Sequence, residues 1–388
     1  MQLNFRDRTL GLRDISMLLV WLAVVAYFGF ADPTFLSPRN LTQLAIELSI
    51  TAVLALGMLL IILPGHIDLS VGSGLGLMGG IAAVLVFHQG WPAPLALALA
   101  TVVSILVYAG MGTIIVKERI PAFIITLGGL LVFKGLHWLV IQNSTVPVSA
   151  GGATNLYSLV TTYYLPPEVS LVLAGSLILL LVLVRVRAHH RRRARGYSAD
   201  DTETGFLKLL FASQLILLFV LVMNRYQGLP ISVLLLGAIA AAIHVLTRHT
   251  PFGRYLYAIG GNEEAAVLSG IPTRSVVIGA FVLMGAIVAL TGFLQTAYAG
   301  ASTTTTGQLM ELDAIAACVI GGASLKGGRG SVIGVLFGAL IMATLLNGMT
   351  LLAISPESKF IARGLVLSLA VWMDVRLSRR SGPLALTG

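Results

Sequence analysis

The chain has 388 residues, of which 57% are hydrophobic and only 11% charged, with a formal net charge of +9. That composition leaves too little polar surface to cover a soluble domain, and apolar stretches near twenty residues long recur from end to end. Hydrocarbon offers backbone groups no hydrogen-bond partner, and the runs are too continuous for alternating barrel strands, so the expected class is all-α, a polytopic helical membrane protein. The positive charge would fit nucleic acid in a soluble chain. Here it marks topology, and no nucleic-acid partner is expected.

Twelve spans are expected, at 15–31, 41–63, 71–87, 94–116, 121–141, 169–186, 207–223, 229–246, 276–298, 311–323, 331–353 and 357–375. With the N-terminus in the cytoplasm, most Lys and Arg residues fall on inside segments, Arg39, Arg225 and Lys359 fall outside, and Lys134 and Arg363 lie within spans. The positive-inside rule therefore predicts both termini in the cytoplasm. The first span follows a short basic head and ends in small residues before Asp32, so a cleavable signal peptide is its alternative reading.

Between the second and third spans lies PGHIDLSVGS, residues 64–73, where helix breakers meet His66, Asp68, Ser70 and Ser73. A broken helix at depth is tolerable where its backbone faces protein or a water-filled cavity. Asp68 and Ser70 suit helix capping, and direct contact of Asp68 with a passing solute is the alternative.

Residues 142–168 carry no Lys or Arg and are expected outside. Residues 187–206, RAHHRRRARGYSADDTETGF, are expected as a solvated basic cytoplasmic insertion whose arginines meet anionic lipid headgroups. His189 and His190 lack supporting ligands there, so no metal site is expected. Cys318, the only cysteine, sits in an apolar stretch and reads as a small core residue.

The longest polar passage of the second half, 247–275, contains GRYLYAIGGNEEAAVLSGIP from Gly253 to Pro272. Asn262 followed by Glu263 and Glu264 reads as a helix start with early acids favoured by the helix dipole.

The next span opens ELDAIAACVIGGASLKGGRGSVIG, residues 311–334. Glu311 and Asp313 are expected hydrated at its outer edge, and six glycines permit a sharp reversal. Gly322 and Gly327 match the first part of a phosphate-binding loop, but Gly328-Arg329 stands where Lys-Ser/Thr is required. No zinc-protease or intramembrane aspartyl-protease motif occurs, so no catalytic residue and no bound metal are expected. Glu47-Leu48 precedes Gly57, and Glu311-Leu312 precedes Gly321, at the same interval, with Ser-Val following each. This is a faint echo between two halves, of the kind that internal duplication leaves in transporters.

GHIDLSVGS, Ile120-Pro121-Ala122-Phe123, AIGGNEEAAVLSGI and ELDAIAACVIGGASLKGGRGSVIG, in that order, resemble the permease subunits of bacterial ABC monosaccharide importers of the ribose/xylose type. The extra pair of spans around 187–206 and the Trp372-Met373-Asp374 ending are most similar to the xylose branch. The resemblance implies a single transmembrane permease domain over 1–388 in the bacterial inner membrane. It implies a separate ATPase, its two domains often on one chain, that carries ATP and magnesium while this chain binds no cofactor. It also implies a periplasmic sugar-binding protein and a second permease copy. Asn262, Glu264, Ala265, Ala266 and Gly270 become ATPase-coupling positions within the cytoplasmic loop 247–275, with a docking helix shortened by Ile271-Pro272. Polar candidates for the translocation path are Glu47, Asp68, Gln295, Asp313 and Asn347. An ion-coupled secondary transporter is the competing class, and an intramembrane enzyme the weaker one.

Overall fold

A computed structural model describes residues 12–149, 151, 153–194 and 202–380. In chain order these form α1 (Leu12–Ala31), α2 (Pro38–Ile62), α3 (Val71–Phe87), α4 (Ala93–Glu118), α5 (Ala122–Val140), α6 (Leu156–Thr162), α7 (Pro167–Ala194) and α8 (Thr202–Asn224). They continue with α9 (Ile231–His249), α10 (Pro251–Gly261), α11 (Glu263–Leu268), α12 (Thr273–Ala299), α13 (Met310–Ile320), α14 (Val332–Leu351) and α15 (Pro356–Arg380). A short 3-10 turn, Pro33–Leu36, joins α1 to α2.

Local chemistry sets the ends. The Ser37 side chain accepts the Asn40 amide at 3.3 Å, and Pro38 occupies the first turn of α2, where its missing N–H costs nothing. Thr250 and Pro251 do the same for α10. Gly300, with φ of +75°, closes α12 in the left-handed conformation that glycine adopts without strain.

Every expected span falls on one helix, but not every helix is a full crossing. Among the described residues, eight are long and apolar enough by length and composition: α2, α4, α5, α7, α8, α9, α12 and α14. The span expected at 311–323 is instead the 11-residue α13. At 1.5 Å per residue it reaches about 16 Å, roughly half a hydrocarbon core. It follows an irregular stretch, 300–309, that packs on α3 and α5. That backbone is covered by protein, which is what makes an interrupted helix tolerable at depth.

α2 forms the centre, with 83% of its most apolar window buried, whereas α7 has 11%. Around α2 pack α9, α12, α13 and α14, and α4 lies along α12. The α4–α12 contact is close because Gly285 faces the Ser104 carbonyl, where a Cβ would come within 2.8 Å, and the Ser104 hydroxyl donates to the Gly285 carbonyl at 2.6 Å. The α7–α8 hairpin stands at the margin, pinned at one end by the Ser170 hydroxyl, which donates to Asn224 Oδ1 at 2.8 Å. The apolar side chains of α7 and α8 face outward in number, as lipid contact requires.

Part of the expected basic loop is helical. α7 runs through Arg187, His189, His190 and Arg191 to Ala194, because Arg and Ala sustain a helix already propagating. The rest of that insertion up to 201, the basic head before Leu12 and the tail after Arg380 lie outside the described residues. Two two-residue ladders tie the connections together: β1 (Val146–Pro147) pairs with β4 (Ala301–Ser302), and β2 (Tyr164–Leu165) with β3 (Leu229–Pro230). The sequence echo lies at matching places, since Ser70 and Ser331 stand immediately before α3 and α14, each after a helix break.

Candidate functional site

At one end of the helices α10 and α11 form a continuous face. Asn262 is extended, and its side-chain oxygen accepts the Ala265 amide at 2.9 Å, which caps α11 and leaves Glu263 and Glu264 in the first turn. α11 is six residues long and ends before Gly270, whose φ is +77° and around which a Cβ would meet open space. Glu264 and Ala265 are exposed, but Ala266 is buried and packs inward, so it supports the face without presenting itself. Sequence reasoning missed the exposed apolar pair beside it, Val267 and Leu268, the latter 88% exposed.

α10 clamps two helix breaks at once. The Gly328 amide donates to the Leu63 carbonyl at 2.9 Å, and Gly260 lies against both groups. The Tyr257 hydroxyl donates to the Gly330 carbonyl at 2.9 Å. Leu63 ends α2, and the turn holding Gly327, Gly328 and Gly330 follows α13. Gly322, Gly327 and Gly328 all have left-handed φ, so the reversal anticipated from the glycine-rich sequence is present.

The other end holds a cavity of about 240 Å³ between α2, α12, the 300–309 segment, α13, α14 and α15. Glu47, Gln295 and Asp313 line it, and Asn347 stands behind Glu47. Glu47 accepts two hydrogen bonds, from the Tyr298 hydroxyl at 2.8 Å and from Asn347 Nδ2 at 3.0 Å. Asn40 Nδ2 in turn donates to Asn347 Oδ1 at 2.9 Å, so one chain of contacts ties α12, α2 and α14. Arg363 Nε lies 3.1 Å from Asp313 Oδ1, an ion pair by distance although off the hydrogen-bond line.

The structure brings together four of the five path candidates and sets Asp68 apart. Asp68 is fully buried in the α2–α3 connection, where its Oδ1 accepts the Ser70 amide at 2.8 Å and the Ser70 hydroxyl at 2.6 Å. Ser70 therefore does not cap α3 with its own side chain, because Asp68 and Tyr108 hold its hydroxyl. The expectation of hydrated acids at the edge of 311–323 is also overturned. Glu311 is 7% and Asp313 5% exposed, since α13 begins inside the protein rather than at its rim. Tyr298, Gln308 and Arg363 were missed as lining residues. The one signal available was the placement of Arg363 within a span, where charge is costly without a partner.

Nothing in the cavity is arranged as a nucleophile with its base, and no three metal-ligating side chains converge among the described residues. What the geometry offers is a polar recess on two helices that continue to the α10–α11 face. From Glu47 to Ile62 along α2 is 15 residues, about 22 Å.

Residues 40–371 match the model of a family described as branched-chain amino acid transport system / permease component. The chain is 37% identical over 376 residues to the xylose transport system permease protein XylH of Escherichia coli K12, covering 96% of this chain and 94% of that one. It is also 37% identical to XylH of Haemophilus influenzae, covering 95% and 98%, and 31% identical to the ribose import permease protein RbsC of E. coli K12, covering 94% of each. No solved structure matches the chain.

Proposed function

The chain belongs to this family of transport permeases, and from that premise we propose that it is the membrane subunit of an ATP-driven monosaccharide importer, with D-xylose as its cargo. The observation that carries the reading is the near full-length similarity to sugar permeases, higher for the xylose than for the ribose protein. The family implies the rest of the machine: an ATPase, with ATP and magnesium on that partner, and a periplasmic sugar-binding protein. A second copy of this chain completes the pathway across a bacterial inner membrane, lipid covers the outward apolar faces, and both termini lie in the cytoplasm.

In this mechanism the ATPase docks on α10 and α11, with Asn262, Glu264, Ala265 and Gly270 at the contact and Ala266 holding α11 to the body. Closure of the ATPase moves α10. Gly260 touches both Leu63 and Gly328, so α2 and the turn behind α13 move with it. Their far ends carry Glu47 and Asp313, and a push on one face therefore reshapes the recess about 22 Å away. This supports access that alternates from side to side.

The test is uptake of radiolabelled D-xylose, D-ribose and D-galactose into proteoliposomes holding the permease, its ATPase and the binding protein. Accumulation of xylose that requires ATP and is lost in Glu264→Ala and Gly270→Asp supports the reading. Uptake driven by a proton or sodium gradient without the ATPase overturns it in favour of secondary transport.

A further inference from the structure

The cavity between α2, α12, α13, α14 and α15 contains charge, yet its charged groups already face partners within the protein. Glu47 is occupied by Tyr298 and Asn347, and Asp313 stands against Arg363. Lys359, the other cation near Glu47, donates to Thr350 Oγ1 at 3.1 Å. Two neutral amides in the lining are different. Among the described residues, the amides of Gln295 and Gln308 make no hydrogen bond to the protein, and both border the recess, Gln308 at its exposed side.

An amide presents one accepting oxygen and two donating hydrogens, and this holds whichever way the group is flipped. A hydroxyl likewise donates and accepts. A zwitterionic amino acid needs a free cation for its carboxylate, and Arg363, the one cation in the lining, already faces Asp313. A fully apolar solute would leave the Gln295 amide desolvated and unpaired, which costs about 1–3 kcal/mol.

We propose that this cavity is a station for a neutral polyhydroxylated solute, in which Gln295 and Gln308 hold solute hydroxyls while the Glu47 and Asp313–Arg363 contacts serve as its frame. The volume of about 240 Å³ lies below the roughly 300–1,000 Å³ of drug-sized pockets, in keeping with a single small sugar. Two amides and few other contacts make the hold weak, as a transport intermediate requires. The station rests on the sugar-importer reading and adds to it the residues that touch the cargo.

The experiment uses saturation-transfer NMR on the purified full-length permease in nanodiscs, with millimolar xylose, xylitol, valine or leucine as probes, alongside ATP-dependent xylose uptake by the complete importer. Transfer to xylose and xylitol but not to valine or leucine is expected. Gln295→Leu and Gln308→Leu should each weaken it about three- to tenfold, the worth of one hydrogen bond. Gln295→Asn, which keeps the amide, should restore part of the signal, and this separates contact from misfolding. Normal xylose uptake with no transfer to either polyol overturns the station and leaves the importer intact. Transfer to valine or leucine in preference to the polyols overturns the ligand class. Transfer to polyols without any ATP-dependent sugar uptake keeps the station and removes the importer reading.

Discussion

The Gly328 amide meets the Leu63 carbonyl at 2.9 Å, and α10 rests on that junction through Gly260. The two residues are far apart in sequence and belong to the two halves that echo each other, so one hydrogen bond makes a single platform of both helix breaks. A Cβ at position 260 would strike both groups. Gly260→Val should therefore lift α10 and lower xylose transported per ATP hydrolysed by at least about tenfold, which corresponds to ~1.4 kcal/mol. Gly261→Ala, with open space at its Cβ, should leave the ratio unchanged. Equal ratios in Gly260→Val and the parent would show that motion reaches the cavity by another route.

Leu268 projects 88% exposed from the short α11, beside the exposed Val267. An apolar pair on a face otherwise polar marks where a partner excludes water. Leu268→Asp should weaken ATPase association about tenfold or more, read by co-purification or by equilibrium binding in nanodiscs, with no change in the unfolding temperature of the permease. An unchanged affinity would place the docking surface elsewhere on α10.

The parts of this molecule legible in the sequence are those governed by local rules. Apolar length located the helices, and Asn262 announced the cap of α11 because a cap needs only its own next residues. Glu47, Gln295, Asp313 and Asn347 were recognisable as polar groups among apolar neighbours, yet their meeting depends on long-range packing. Asp68 looked the same in sequence but lies apart in the α2–α3 connection, where Ser70 two residues later holds one of its carboxylate oxygens. The half-length of α13 was hidden for a related reason: the apolar run ELDAIAACVI continues into glycines, and only the packing of 300–309 against α3 and α5 reveals that the helix starts within the protein.

Glu47 fastens three helices, and its replacement should be read by which atoms lose a partner. Glu47→Ala leaves Asn347 Nδ2 buried with no acceptor, at a cost of about 1–3 kcal/mol. In Glu47→Gln the amide oxygen still accepts from Asn347, and the amide nitrogen donates to the Tyr298 hydroxyl, which turns acceptor. Thermal unfolding of the purified permease should thus fall for Ala and stay near the parent for Gln. Equal losses in both would show that the charge, rather than the hydrogen bonds, holds the frame.

His66 in the α2–α3 connection is mostly buried, and burial lowers its pKa below the ordinary value, opposed by the nearby Glu263. The folded state therefore prefers the neutral ring, and as pH falls through about 6.5 the unfolded chain takes up the proton first. Stability contributed by this group is present above that pH and is lost toward the lower folded value. Between pH 7 and 5.5 the unfolding temperature should drop more in the parent than in His66→Gln. Parallel pH curves for the two proteins would remove His66 as a cause.

Arg363 and Asp313 are 3.1 Å apart, with the acid nearly sealed from solvent and the guanidinium partly exposed. A buried pair gains little over an apolar replacement, but a single deletion strands the remaining charge. Arg363→Met should accordingly cost about 3–5 kcal/mol, with Asp313 left uncompensated, and the double change Arg363→Met/Asp313→Leu should recover most of it. The same pair of variants separates frame from contact. If these side chains only hold α13 to α15, the double variant regains xylose uptake together with its unfolding temperature. If stability returns while uptake stays more than about tenfold down, the ion pair itself touches the sugar, and the division of labour between charged frame and neutral amides is wrong.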